Sequence, residues 1–164
     1  MKNKPQRIPA YDAARQINDL QKKVDGFRKD GSMLRSFDTL WVSSGTQPAL
    51  GNGTLVSTYR RDGLMCWVNY TLTWGSTTTA GTGFWTFSTP FKMSAVPGVF
   101  TGTCLVHDVS ASTWYTGVSQ FWDPTLNQIV FFCGQGVTGV GTGNPITWAT
   151  GDFLAITMYY PTAS

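Results

Sequence analysis

Residues 51–90 read GNGTLVSTYRRDGLMCWVNYTLTWGSTTTAGTGFWTFSTP. Within them Leu64, Cys66, Val68, Tyr70, Leu72 and Trp74 alternate with Met65, Trp67, Asn69, Thr71 and Thr73. A period of two over that length predicts a β-strand with its apolar row on a core, and no helix fits the spacing. A Gly/Ser/Thr loop follows, then a short aromatic strand, Phe84–Phe87. The strands carry almost no ionisable groups, so their surface suits packing and contact rather than acid–base work.

Outward from this stretch, everything after Trp41 has the same character. Strands are predicted at Leu55–Tyr59, Leu64–Trp74, Phe84–Phe87, Val99–Val106, Thr113–Phe121, Gln128–Cys133 and Phe153–Tyr160, with a weaker one near Leu40–Ser43. The turns between them carry Gly51-Asn52-Gly53, Asp62-Gly63, Pro97-Gly98, Asp123-Pro124 and Asn144-Pro145, residues that set turn geometry. Seven or eight short strands without intervening helices predict a mainly β fold, a jelly-roll-like antiparallel β-sandwich. In the last strand Leu154, Ile156, Met158 and Tyr160 share a face, which predicts an interior strand. Two loops, 75–83 and 134–144, are rich in Gly and Thr and are expected to be flexible contact loops or plain surface connections.

Toward the N-terminus the chemistry changes. Residues 1–38 hold nine Lys and Arg against five Asp, whereas 39–164 hold three against four and all seven Trp. The chain therefore divides into a charged leader, 1–38, and a neutral β body, 39–164. Residues 1–9 read as an extended arm. Ala10, Ala13, Ile17, Leu20, Val24 and Phe27 then recur at steps of 3 and 4, the heptad spacing of a coiled-coil seam. A short α-helix is expected there, ending between Gly26 and Gly31. Helices under about 12–15 residues are marginal alone, so the seam needs a partner. Ala13, Ile17, Leu20, Val24 and Phe27 are the candidate oligomerisation and anchoring residues. The other reading is an amphipathic helix lying on the β body or on another protein.

Composition excludes most catalytic classes. His107 is the one imidazole, no Gly-x-Ser-x-Gly elbow occurs, and the four Asp of the body look like turn formers rather than a glycosidase pair. His107-Asp108 marks the end of a strand, and Arg60-Arg61-Asp62-Gly63 a hairpin turn. Neither metal spacing nor a phosphate loop is present, so no cofactor is expected. Cys66, Cys104 and Cys133 read as buried thiols, with one disulfide and a spare thiol as the alternative. The body lacks the basic patch of a nucleic-acid binder. No apolar stretch nears the roughly 18 residues of a membrane span, and no secretion signal follows Lys2, Lys4 and Arg7. The remaining candidates are aromatic: Trp67, Trp114, Tyr115 and Trp122, placed to stack on a glycan or to be buried between subunits. Burial between subunits suits a low-charge body best.

Gly51-Asn52-Gly53-Thr54-Leu55, Tyr59-Arg60-Arg61-Asp62-Gly63, Thr73-Trp74-Gly75-Ser76-Thr77-Thr78-Thr79, Gly81-Thr82-Gly83, Trp85-Thr86-Phe87-Ser88 and Pro90 occur in that order. The run resembles a β-sandwich module of tailed-phage virion proteins, especially of actinobacteriophages, whose carriers are called minor tail proteins. The resemblance covers about forty residues of the body and implies a non-enzymatic role in a multimeric particle, with no catalytic residues to carry over. It does not extend to the leader. The expectation is a virion-surface structural protein made in the bacterial host cytoplasm: a tail-associated attachment or fibre protein, joined to other virion proteins through its N-terminal segment and self-associating as a homotrimer. A capsid decoration or head-fibre protein is the alternative, and a free carbohydrate-binding module the next. A host-surface glycan is a further expected partner.

Overall fold

The computed structural model describes residues 10–95, 99–123, 127–134 and 138–163, and side chains at all of these except 10–14, 27–32, 122 and 123. The arm, 1–9, lies outside the described residues. The chain divides after Met33 into a helical unit and a sheet unit, Leu34–Ser164.

The helical unit holds α1, Ala10–Ser32. Its Ile17, Leu20 and Val24 are exposed, so the heptad positions form an open apolar stripe on the helix, and a coiled coil is not confirmed. One turn apart, Gln21 donates to Asp25 at 3.3 Å. The helix runs through Gly26 and Gly31 instead of ending between them. An interior glycine costs about 1 kcal/mol in backbone entropy but obstructs nothing, and nothing lies within 4 Å of a Cβ built at Gly26.

The sheet unit contains β1 Arg35–Ser36, β2 Trp41–Ser43, β3 Thr54–Asp62, β4 Met65–Thr73, β5 Trp85–Ser88, β6 Thr101–Asp108, β7 Thr113–Asp123, β8 Gln128–Cys133 and β9 Phe153–Pro161. Every expected strand is there, within a few residues of its predicted ends, and β1 is an addition. Gly63, at φ 58°, opens the two-residue turn between Asp62 and Met65 of the β3–β4 hairpin, where a type II′ turn takes glycine.

The strands do not form two facing sheets. They make one antiparallel sheet, ordered β1-β3-β4-β9-β6-β7-β8-β5-β2, curled into a half-barrel. Two glycines inside strands explain the departure from the expected sandwich. A Cβ on Gly102 of β6 would fall on the Thr157 carbonyl and the Ser119 hydroxyl. One on Gly117 of β7 would fall on the Phe132 carbonyl and the Cys133 backbone. With no side chain at either place, strands two apart draw together. Ser119 Oγ donates across β6 to Thr157 O at 3.3 Å, and Cys133 Sγ comes within 3.9 Å of Cys104 O across β7. Such glycine kinks let a sheet coil sharply. The segment 37–40 leads from one edge strand to the other. Phe37 N donates to Ser57 O at 3.2 Å, and Leu40 O accepts from Ser88 N at 3.0 Å.

The core fills the inner face. Cys66, Val68, Tyr70 and Leu72 of β4 are fully buried, as are Leu154, Ile156, Met158 and Tyr160 of β9 to within 1%. Across the half-barrel Tyr70 meets Phe87 at 5.3 Å and Phe87 meets Phe131 at 5.0 Å. At one end Trp74, Trp85 and Trp148 form a three-ring cluster, with centroids 5.8, 5.3 and 5.1 Å apart. The hydroxyls of Tyr70 and Tyr160 donate to Ser88 O (3.0 Å) and Phe91 O (3.1 Å), and burial holds both above the usual tyrosine pKa. All three cysteines are free and buried.

Candidate interaction face

A strand with one face on the core turns its alternate residues outward. Over β3, β4, β9, β6 and β7 the cross-strand register aligns those outward residues in rows. One row is Thr58, Asn69, Thr157, Thr103 and Val118. The next is Val56, Thr71, Ala155, Leu105 and Thr116. Neither row contains an ionisable side chain. Within the first, Asn69 Nδ2 donates to Thr157 Oγ1 at 3.1 Å.

Aromatic residues close both ends. At one end Arg60, Trp67 and Tyr159 are register partners. At the other, Thr54, Thr73, Phe153, His107 and Trp114 align. There His107 stacks on Trp114 with ring centroids 3.9 Å apart and planes at 15°. Phe153 meets Trp114 edge-on at 5.4 Å. Val56 is 56% exposed, Val118 49%, Trp114 53% and Tyr159 51%. The outward side of an antiparallel sheet ordinarily alternates into polar, solvated residues. Here half-exposed aliphatic and aromatic groups stand among threonines.

Trp67 and Trp114 thus share one face. Tyr115 does not: its register partner is Val106 on the inner side, and its ring packs against the core. The side chains of Trp122, Ala13 and Phe27 lie outside the described residues. Tyr159, Val56, Val118, Leu105 and Phe153 join the face without having been singled out from the sequence. Their signal was available as the missing charge on the outward positions of five strands, but it emerges only once the register aligns those strands.

The loop 75–83 is knitted in place. Asn52 Oδ1 accepts from Thr77 N (2.9 Å) and Thr77 Oγ1 (3.0 Å), and Asn52 Nδ2 donates to Ser76 Oγ (3.0 Å). Ala49 and Thr79 exchange backbone hydrogen bonds at 3.0 and 2.9 Å. A Cβ on Gly75 would collide with Asn52 and Gly53. These are the Gly-Asn-Gly and Trp-Gly-Ser-Thr-Thr residues of the sequence motif, so that motif encodes a loop-to-loop clasp. Farther on, Val140 is fully buried and bridges Phe131 O and Trp85 N, both at 2.8 Å. Neither segment, where described, has the build of a free contact loop.

The carboxylates hold turns. Asp108 Oδ1 accepts from Ala111 N (2.9 Å) and Ser110 Oγ (2.7 Å), bonds that hold its carboxyl below the usual range. Buried Asp152 accepts from Val109 N (2.9 Å) and Ala149 N (2.7 Å). Among the described residues no group of three or more His, Cys, Asp or Glu could hold a metal ion. Among them, too, no helix is long and apolar enough to cross a membrane.

Against known proteins, the chain is 32% identical over 111 residues to the Mu-like prophage FluMu defective tail fiber protein of Haemophilus influenzae. The match takes in 68% of this chain and 18% of the relative, so this chain corresponds to a small part of that protein's length. No family model matches the chain, and no solved structure does. The likeness is thus to a phage tail protein, while the actinobacteriophage β-sandwich module is not confirmed.

Proposed function

We propose that this chain is a non-enzymatic structural protein of a phage virion, carried on the tail as part of a fibre-type attachment structure. The observation that carries this reading is the similarity to a tail fiber protein over 68% of the chain. The division into two units supports it. In the first, α1 leaves Ile17, Leu20 and Val24 exposed at heptad spacing, a stripe suited to a second helix. We assign that segment, with Ala13 and Phe27, to gathering copies of the chain into a homotrimer and to seating it on other virion proteins. The sheet unit is the part presented at the virion surface.

Labelled particles test the placement. A C-terminal epitope tag located by immunogold microscopy is expected on the tail, and labelling confined to the head would replace this reading with capsid decoration. Deleting residues 1–30 should abolish incorporation while the product keeps its β circular-dichroism signal. Particles that still incorporate it would remove the anchoring role of the helix.

A further inference from the structure

We infer that the outward face of β3-β4-β9-β6-β7 is an interface at which copies of this chain pack against one another. The inference rests on the fibre reading's premise that several copies assemble, and it says which surface they use.

The first ground is charge. The two central rows contain no ionisable side chain, and Arg60 and Asp62 stand at one rim. Buried interface centres are depleted of charge and enriched in aromatic residues. The second ground is size. Five strands spaced about 4.8 Å apart, with about seven residues rising about 3.3 Å each, project roughly 550 Å². Side-chain relief raises that toward the roughly 800 Å² that each partner contributes to a standard interface.

The third ground bears on what covers the face. A foreign partner is selected largely through complementary charge, and these rows offer none. Threonine hydroxyls both donate and accept, so the threonines of neighbouring copies can bond to one another without a charged partner. The body's near-neutral balance, three Lys and Arg against four Asp over residues 39–164, adds little repulsion when copies meet. A second copy satisfies all three conditions.

The test uses the full-length protein, its mass followed by light scattering across a concentration series. Val118→Glu and Val56→Lys each put one charge on the face, at opposite sides. Both are expected to weaken self-association at least tenfold while leaving the β circular-dichroism signal and unfolding midpoint of the dissociated chain unchanged. Val99→Glu, at an exposed loop position before β6, should keep the wild-type mass. If both face variants keep that mass while Leu20→Asp lowers it, the face inference is overturned and the multimeric fibre reading stands. A wild-type chain that stays at 18.0 kDa at every concentration overturns the shared premise itself. Face variants that assemble normally but fail to join particles would assign the face to another virion protein. Host-wall glycan that quenches Trp fluorescence in the intact multimer, and no longer does so in Trp114→Ala, would assign it to sugar; both results overturn the proposal.

Discussion

The two faces of β4 and β9 share one backbone and differ only in which alternate residues they present. Inward, Val68, Tyr70 and Leu72 lie against Met158, Ile156 and Leu154 with no exposure above 1%. Outward, Asn69, Thr71 and Trp67 lie against Thr157, Ala155 and Tyr159, partly open to water and almost uncharged. Apolar content separates core from surface. The outer rows differ from ordinary solvated surface in their missing charge, which interface centres share. Burial at the inner face is strong enough to be read from one strand; the outer signal is spread over five.

The largest effect should come from the inner side. Trp74→Ala removes a ring packed against both Trp85 and Trp148, and should cost about 3–5 kcal/mol in urea unfolding. A loss below about 1 kcal/mol would erase the contrast between the faces, because Trp74 would then be no more buried than its outward neighbours.

Next comes the curl that keeps one face in and the other out. Gly117→Ala places a methyl group against the Phe132 carbonyl, and overpacking of that kind costs typically about 1–3 kcal/mol. Unchanged stability would show that β7 can shift to make room, and that the bend does not depend on the missing side chain.

This bend also marks where the sequence stops being legible. Strand positions, the inner face of β4 and the interior place of β9 follow from two-residue alternation and turn residues. Gly102 and Gly117 sit within otherwise ordinary strand patterns, and their consequence is non-local: they bring Ser119 to Thr157 and Cys133 to Cys104. Nothing in the spacing of short strands distinguishes two flat sheets from one bent sheet. The β1 strand escaped notice because two exposed residues, Arg35 and Ser36, have no period to show. Of the candidate aromatics, Trp67 and Trp114 were recognisable as outward. Tyr115 follows Trp114 directly, and alternation alone sends it to the opposite side.

A smaller effect should come from the clasp between the loops. Asn52→Ala removes the side-chain bonds to Ser76 and Thr77, and should cost about 1 kcal/mol, since each net hydrogen bond contributes about 0.5–1.5 kcal/mol and water can replace part of this exposed set. Faster amide exchange at Thr77 would locate the loss. If stability and exchange both stay at wild type, the loops hold together through their backbone bonds alone.

The smallest effect should be on the outer face. Val118→Thr exchanges one γ-methyl for a hydroxyl at a side chain 49% exposed. Its outward row already contains Thr58, Thr157 and Thr103. In the dissociated chain the new hydroxyl stays in water, so unfolding should shift by no more than about 0.5 kcal/mol, as at other surface positions. Within an assembly the same hydroxyl is taken out of water, at a cost of about 1–3 kcal/mol where no hydroxyl of the neighbouring copy meets it. One substitution, measured once below and once above the association threshold, therefore reports on the two environments separately. Equal small shifts in both would mean that the hydroxyl stays wet in the multimer or is met by a hydroxyl of the neighbouring copy. A shift only in the assembled chain would distinguish the uncharged outer rows from ordinary solvated surface.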